Sequence, residues 1–364
     1  MVTQTSITHF YKGRRVFITG HTGFKGSWLI YVLHKAGAVI KGYSLFPETN
    51  PSLYSQIEES IHIESVIADI NDARRLETEI LSFQPDHIFH MAAQPLVRRS
   101  YNEPLNTFST NVIGTANVLS ALTKLEKPCT AVFITTDKVY ENKEWHYPYR
   151  ETDRLGGYDP YSASKACAEL VINSYHQSFF NLSRFEVHQK AIASVRAGNV
   201  IGGGDWSEDR LLPDIVKALA QNRDIIIRNP GAIRPWQHVL EPVFGYLRIS
   251  QLLAANPMKY NGAWNFGPAN DDNLSVIEVA QQAISIWGKG NIDLREDRNA
   301  LHEAGLLKLD TSKAVNELGW KPRMRTGEAI ARTIQWYKCF YEKTASPAEL
   351  LIADILYYQS ILIQ

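Results

Sequence analysis

Cysteine is scarce in this chain of 364 residues: Cys129, Cys167 and Cys339 are odd in number, scattered and without metal-site spacing. No disulfide framework and no cysteine metal centre can organise such a chain, and the thiols read as the reduced cysteines of a cytosolic protein. An excess of either charge is also lacking. Lys+Arg and Asp+Glu both number 38, for a formal net charge of +0. That balance argues against a basic face that grips nucleic acid, while leaving room for local phosphate pockets. Long apolar runs are missing too. The greasiest stretch, Leu350 to Ile363, is broken by Asp354, Gln359 and Ser360 and is too short to span a bilayer, so no membrane contact is expected. It reads instead as a helix packed on the body or on a second subunit. Met1 to Arg15 has no apolar region ahead of its basic pair, so no signal peptide is expected and the cytoplasm is the expected location.

What is present is ample core material, 45% hydrophobic against 21% charged, enough for about two domains or one elaborated one. Short β-branched runs alternate with longer helical stretches. Arg15–Thr19, Val39–Leu45, Val66–Asp69, His87–His90 and Ala131–Thr135 read as strands; Ser27–Lys35, Asn71–Phe83 and a helix within Pro104–Lys124 lie between them. Strands without polar alternation, separated by helices, predict an α/β fold: a Rossmann-type, doubly wound parallel sheet buried on both faces. Beyond Gly198 glycine and proline become frequent, as in Gly202-Gly203-Gly204 and Pro230-Gly231. The expected division is a dinucleotide-binding part over 1–198 and a smaller, loop-rich α/β part over 199–364 that caps the carboxyl edge of the sheet. The chain is expected to cross between them.

Gly20-His21-Thr22-Gly23-Phe24-Lys25-Gly26 stands directly after a strand and before a helix. Glycines there let the backbone turn tightly and approach a pyrophosphate held at the helix N-terminus. The spacing is Gly-x-x-Gly-x-x-Gly rather than Gly-x-Gly-x-x-Gly, and a bare strand-to-helix turn is the competing reading. Asp69 closes a later strand and suits either an adenine amine or a helix N-cap. The second strand lacks the usual ribose-binding carboxylate: Lys41-Gly42-Tyr43-Ser44-Leu45 offers only Tyr43 or Ser44, which leaves NAD against NADP undecided. Tyr161 and Lys165, four apart, fall on one face of a helix. An ammonium beside a phenol favours the phenolate, which can take a proton from a carbinol as hydride leaves the carbon. A solvated pair is the alternative for those two residues taken alone.

Together, Gly20-x-x-Gly23-x-x-Gly26, Ala92-Ala93, Asn111-Val-Ile-Gly-Thr115, Tyr161-x-x-x-Lys165 and Arg196-Ala-Gly-Asn199 resemble the extended short-chain dehydrogenase/reductase family. Thr135-Thr136-Asp137-Lys138, with Ile233-Arg-Pro-Trp-Gln-His-Val239 downstream, is similar to its nucleotide-sugar 4,6-dehydratases, in particular the branch acting on CDP-glucose, whose products lead to deoxysugars of surface polysaccharide such as the lipopolysaccharide O-antigen. The resemblance implies NAD held by Gly20, Thr22, Gly23, Phe24, Gly26, Tyr43, Ser44, Asp69, Ile70, Ala92, Ala93, Tyr161 and Lys165. It implies Tyr161 as base at the sugar C4 hydroxyl, Thr136 on the same oxygen and Lys165 on the nicotinamide ribose. Asp137 would be the acid that expels the C6 hydroxyl. Lys138 stands where relatives carry a glutamate base for C5, and a lysine serves there only if its pKa is lowered. Asn199, Arg210 and Arg234 are implied as substrate contacts, no metal is implied, and a homodimer is expected. Two rivals stay open: a nucleotide-sugar 4-epimerase, which needs no leaving-group acid, and a silent dinucleotide sensor, which needs no Tyr161 or Lys165.

Overall fold

The computed structural model describes residues 5–272, 274–295 and 307–362. Seven parallel strands form the central sheet: β1 (Arg15–Thr19), β2 (Val39–Ser44), β3 (Glu64–Ile67), β4 (His87–His90), β5 (Cys129–Ile134), β6 (Lys190–Ala197) and a last strand, Gly262–Phe266, beside β6. Their spatial order is β3-β2-β1-β4-β5-β6 followed by Gly262–Phe266. The order reverses between β1 and β4, which opens a crevice at the carboxyl ends of those two strands.

The pleat explains why the strand runs carry no polar alternation. Val16 and Ile18 of β1 join a core with the helix Phe24–Lys35 and the helix Leu240–Ala255. Phe17, pointing the other way, joins a core with the helices Ala73–Phe83, Gly114–Lys124 and Pro160–Ser178. Both faces of the sheet are therefore dry, as helix-covered parallel sheets require.

Three expectations change. The helix after the glycine-rich turn begins at Phe24, not Ser27, because Gly23 already serves as its N-cap. The stretch 104–124 is not one helix: Pro104–Phe108 and Gly114–Lys124 flank a wider π turn over Ser109–Ile113. The region beyond 198 is more helical than its glycine and proline content suggested, with Leu211–Ala220, Leu240–Ala255, Val276–Trp287, Thr326–Glu342 and Pro347–Leu362 all helical. Their prolines fall at or near helix starts, where a missing N–H costs little. The helix Pro347–Leu362 packs on the body: Ala348 accepts a hydrogen bond from Tyr31 at 3.2 Å, and Tyr358 donates to buried Glu241 at 2.7 Å. Among the described residues no helix is long and apolar enough to cross a membrane.

Candidate active site

A cleft of about 1580 Å³ runs across the carboxyl edge of the sheet, between the glycine-rich turn and the loops that follow β5 and β6. The turn's three glycines have different reasons to be there. A Cβ on Gly20, whose φ is +78°, would lie 2.7 Å from the Ala92 backbone nitrogen, and one on Gly26 would lie 2.1 Å from the Gly20 carbonyl oxygen. Both are therefore demanded by packing. Gly23 is exposed, has an ordinary φ of −73° and would meet only the Gly20 oxygen at 3.5 Å. Gly23 caps the helix Phe24–Lys35 without a side-chain bond, so the helix N-terminus faces the cleft bare. Space over a glycine that the fold does not need, at an uncapped helix start, fits a pyrophosphate.

The other residues implied for the dinucleotide fall along the same wall. Thr22 Oγ1 lies 2.8 Å from Ser44 Oγ and donates to the Leu45 carbonyl at 2.8 Å, tying the turn to the end of β2. Tyr43 is wholly buried, and its hydroxyl donates to the Asp69 carbonyl at 2.9 Å. The Asp69 carboxylate accepts from the Asn71 backbone at 2.8 Å, whereas the following helix is capped by Asp72. Ile70 is buried where a Cβ on Gly114 would touch it. Ala92 donates its N–H to Thr19 Oγ1 at 3.2 Å, and Ala93 lines the cleft behind it.

Beyond that wall stand the candidate reacting groups. Asp159 and Pro160 start the helix Pro160–Ser178, Asp159 accepting from the Ser162 N–H at 2.9 Å, a cap worth about 1 kcal/mol. The helix carries buried Tyr161 and Lys165 to the cleft floor. Thr136, just past β5, lies beside the Tyr161 phenol and donates to Asp137 Oδ1 at 2.9 Å. Asp137 is 2% exposed, and half-buried Lys138 places Nζ 3.8 Å from its Oδ1. Burial pushes the Tyr161 phenol up to about 12, against the pull of Thr136, with Asp137 adding to the rise. That corrects the expectation that Lys165 draws it down. Lys165 is itself weakened by burial, to about 8, and donates to the Ile134 carbonyl at 3.4 Å.

Asn199 and Arg210 line the same cleft, Arg210 Nη1 lying 3.5 Å from Asp205 Oδ2. Arg234 belongs to the short strand Ile233–Arg234, but its side chain lies outside the described residues. One cation was not singled out from the sequence. Lys25, within the glycine-rich turn, donates to the Tyr246 hydroxyl at 3.3 Å, and burial with Arg210 and Lys165 nearby lowers it to about 7. Its signal was a charge in the first turn of a helix whose next eight residues carry none. Among the described residues no cluster of His, Cys, Asp and Glu could hold a metal.

Residues 17–333 match the family described as GDP-mannose 4,6 dehydratase. The chain belongs to that family. The chain is 48% identical over 332 residues to the CDP-glucose 4,6-dehydratase of Salmonella typhimurium, covering 91% of this chain and 92% of that protein. It is 25% identical to the UDP-glucose 4-epimerase of Mycoplasma pneumoniae, over 90% of this chain and 98% of the relative. In fold, it matches a dTDP-glucose 4,6-dehydratase from Streptomyces venezuelae, solved with NAD bound, at a TM-score of 0.75 and 24% identity, covering 89% of this chain and 97% of that one. The Streptomyces venezuelae structure shares the Rossmann-type sheet.

Proposed function

We propose that this protein is an NAD-dependent hydro-lyase that converts CDP-D-glucose to CDP-4-keto-6-deoxy-D-glucose. The carrying observation is that the Asp137 carboxyl, held by Thr136 at 2.9 Å, shares one cleft with the Tyr161 phenol, which puts a base for oxidation and an acid for dehydration together. The choice of cytidine rests on the 48% identical relative. In this reading residues 1–198 hold the dinucleotide and 199–364 the nucleotide sugar.

NAD, held by the Gly20–Gly26 turn and by Lys165, would supply the two-electron acceptor for oxidation at C4 and the hydride equivalent needed at C6. Tyr161 takes the C4 hydroxyl proton, with Thr136 hydrogen-bonding the same oxygen. Lys165 is the ammonium on the same helix face as that phenol. The C4 ketone makes the C5 hydrogen acidic. Asp137 passes a proton to the C6 hydroxyl, which leaves as water while the C5 proton is removed. Half-buried Lys138 holds that carboxyl in place, its Nζ 3.8 Å from Asp137 Oδ1, and the C5 proton passes to solvent. Arg210 and Asn199 face the diphosphate, where a guanidinium matches the oxygens' geometry. A buried acid beside the Tyr161 site favours this reading over an epimerase, which expels no group.

The experiment is to incubate the purified protein with NAD+ and, separately, CDP-, dTDP-, UDP- and GDP-glucose, and to follow product mass. Loss of one water from CDP-glucose is expected. Unchanged mass with altered stereochemistry would mark an epimerase, and no conversion a sensor. A homodimer is part of the proposal: Leu105, Ile113 and Leu170 are 84%, 53% and 58% exposed on neighbouring stretches of 104–113 and 160–178. A strictly monomeric species in sedimentation at micromolar concentration would refute it.

A further inference from the structure

Beneath the reacting groups lies a buried ion pair that the mechanism above does not use. Glu169 is on the helix Pro160–Ser178, one turn beyond Lys165 and two beyond Tyr161. Arg196, on β6, grips its carboxylate in a fork, Nε to Oε1 at 3.0 Å and Nη2 to Oε2 at 2.9 Å, with both side chains at most 5% exposed. Two charges buried this deeply repay their desolvation only if the remaining donors and acceptors are also satisfied. They are, and the partners are informative. Glu169 Oε1 also accepts from Thr135 Oγ1 at 2.6 Å, and Oε2 from Ser194 Oγ at 2.8 Å. Arg196 Nη1 donates to the Tyr140 hydroxyl at 2.9 Å and to the Glu151 carbonyl at 3.0 Å, and Tyr140 in turn donates to Asn265 Oδ1 at 2.7 Å.

Thr135 and Tyr140 bound the short segment 136–139, which carries Thr136, Asp137 and Lys138. The carboxylate thus holds one end of that segment and the guanidinium the other. Tyr161 and Lys165 keep their mutual spacing through their own helix, whereas Asp137 has no such scaffold: its segment is a single 3-10 turn. We propose that the Glu169–Arg196 pair is a positioning clamp that sets the segment bearing Thr136 and Asp137 in register with the helix bearing Tyr161 and Lys165. The inference rests on the dehydratase reading, because it assigns the clamp to the alignment of the dehydration acid with the oxidation base. An apolar pair of similar volume would fill the same space, but it would not hold Thr135 and Tyr140 by their hydroxyls.

The test spares the ion pair and cuts its two grips. Thr135→Val and Tyr140→Phe each remove one hydroxyl at nearly constant shape, and Thr135→Ser keeps the hydroxyl. Dehydrated product from CDP-glucose is expected to form about 10- to 100-fold more slowly in the first two variants, with KM little changed. Quenched mixtures should then contain oxidised sugar that retains its C6 oxygen, and Thr135→Ser should restore the wild-type partition. Crystal structures of Thr135→Val and Tyr140→Phe should show 136–139 displaced relative to Tyr161. Wild-type partition in both cut variants, or crystal structures with the segment unmoved, would overturn the clamp. Wild-type protein that leaves CDP-glucose intact would instead contradict the dehydratase reading, and the crystallographic comparison, which needs no turnover, would still decide whether the clamp positions the segment.

Discussion

Asp137→Asn separates the two half-reactions with little change to the fold. Asparagine keeps the oxygen that accepts from Thr136 at 2.9 Å, so the contact next to Tyr161 survives. What is lost is the transferable proton and the attraction to Lys138 Nζ at 3.8 Å, whose side chain is 30% exposed. A pair with one partner that open to solvent contributes at most about 1 kcal/mol to stability. The kinetic loss is larger. A positioned acid contributes roughly 10²–10⁴-fold, so the barrier to losing water should rise by about 3–5 kcal/mol. The assay is a single-turnover mixture with NAD+ and CDP-glucose, quenched and read by sugar mass. Asp137→Asn should accumulate a 4-keto sugar that retains its C6 oxygen, while Tyr161→Phe should leave CDP-glucose unoxidised. If both variants fail equally to oxidise the sugar, Asp137 is required for oxidation or for assembling the site, and its role as the dehydration acid is wrong.

Two further outcomes follow from the structure. Burial raises Glu241 from 4.5 to about 7, although it accepts from the Arg323 and Met324 backbones at 2.7 and 2.6 Å and from Tyr358 at 2.7 Å. The folded state therefore holds a proton that the unfolded chain releases, so stability from this site is fully present below about 4.5 and is lost as pH rises through about 7. At 1.36 kcal/mol per pKa unit the loss is about 3 kcal/mol. Glu241→Gln should gain up to that amount in urea unfolding at pH 8 and little at pH 4.5, and a variant less stable than wild type at pH 8 would refute the assignment. Gly23→Ala should leave the urea midpoint unchanged, because the added Cβ meets only the Gly20 oxygen at 3.5 Å, yet weaken NAD+ binding about tenfold or more in calorimetry, equivalent to about 1.4 kcal/mol; undiminished affinity would show that the pyrophosphate lies elsewhere.

The fold was legible where burial is two-sided. Val16-Phe17-Ile18 and Ala131-Val132-Phe133 admit no polar residue because helices cover both faces, and that leaves a plain mark in the sequence. The region beyond 198 was less legible, because Pro213 and Pro242 sit in the first turns of helices and look like breaks until the helices are seen. Within the site, Tyr161 and Lys165 could be read because one helix sets their spacing. The Glu169–Arg196 fork could not, since 27 residues and a strand crossing separate its halves and only the sheet brings them together. The high pKa of Tyr161 was hidden for a similar reason: a four-residue spacing shows the ammonium nearby, but not the depth of burial that outweighs it.

The proposed reaction is an internal oxidation and reduction within one sugar, and an isotope placed at C4 follows it. The protein would be incubated with NAD+ and CDP-glucose carrying deuterium at C4, in ordinary water, and the product analysed by NMR and mass spectrometry. A 4-keto-6-deoxy sugar with deuterium at C6 and a solvent proton at C5 is expected. Deuterium retained at C4 would show that no hydride equivalent passes from C4 to C6, and its loss to solvent would contradict return of the hydride equivalent to the same sugar.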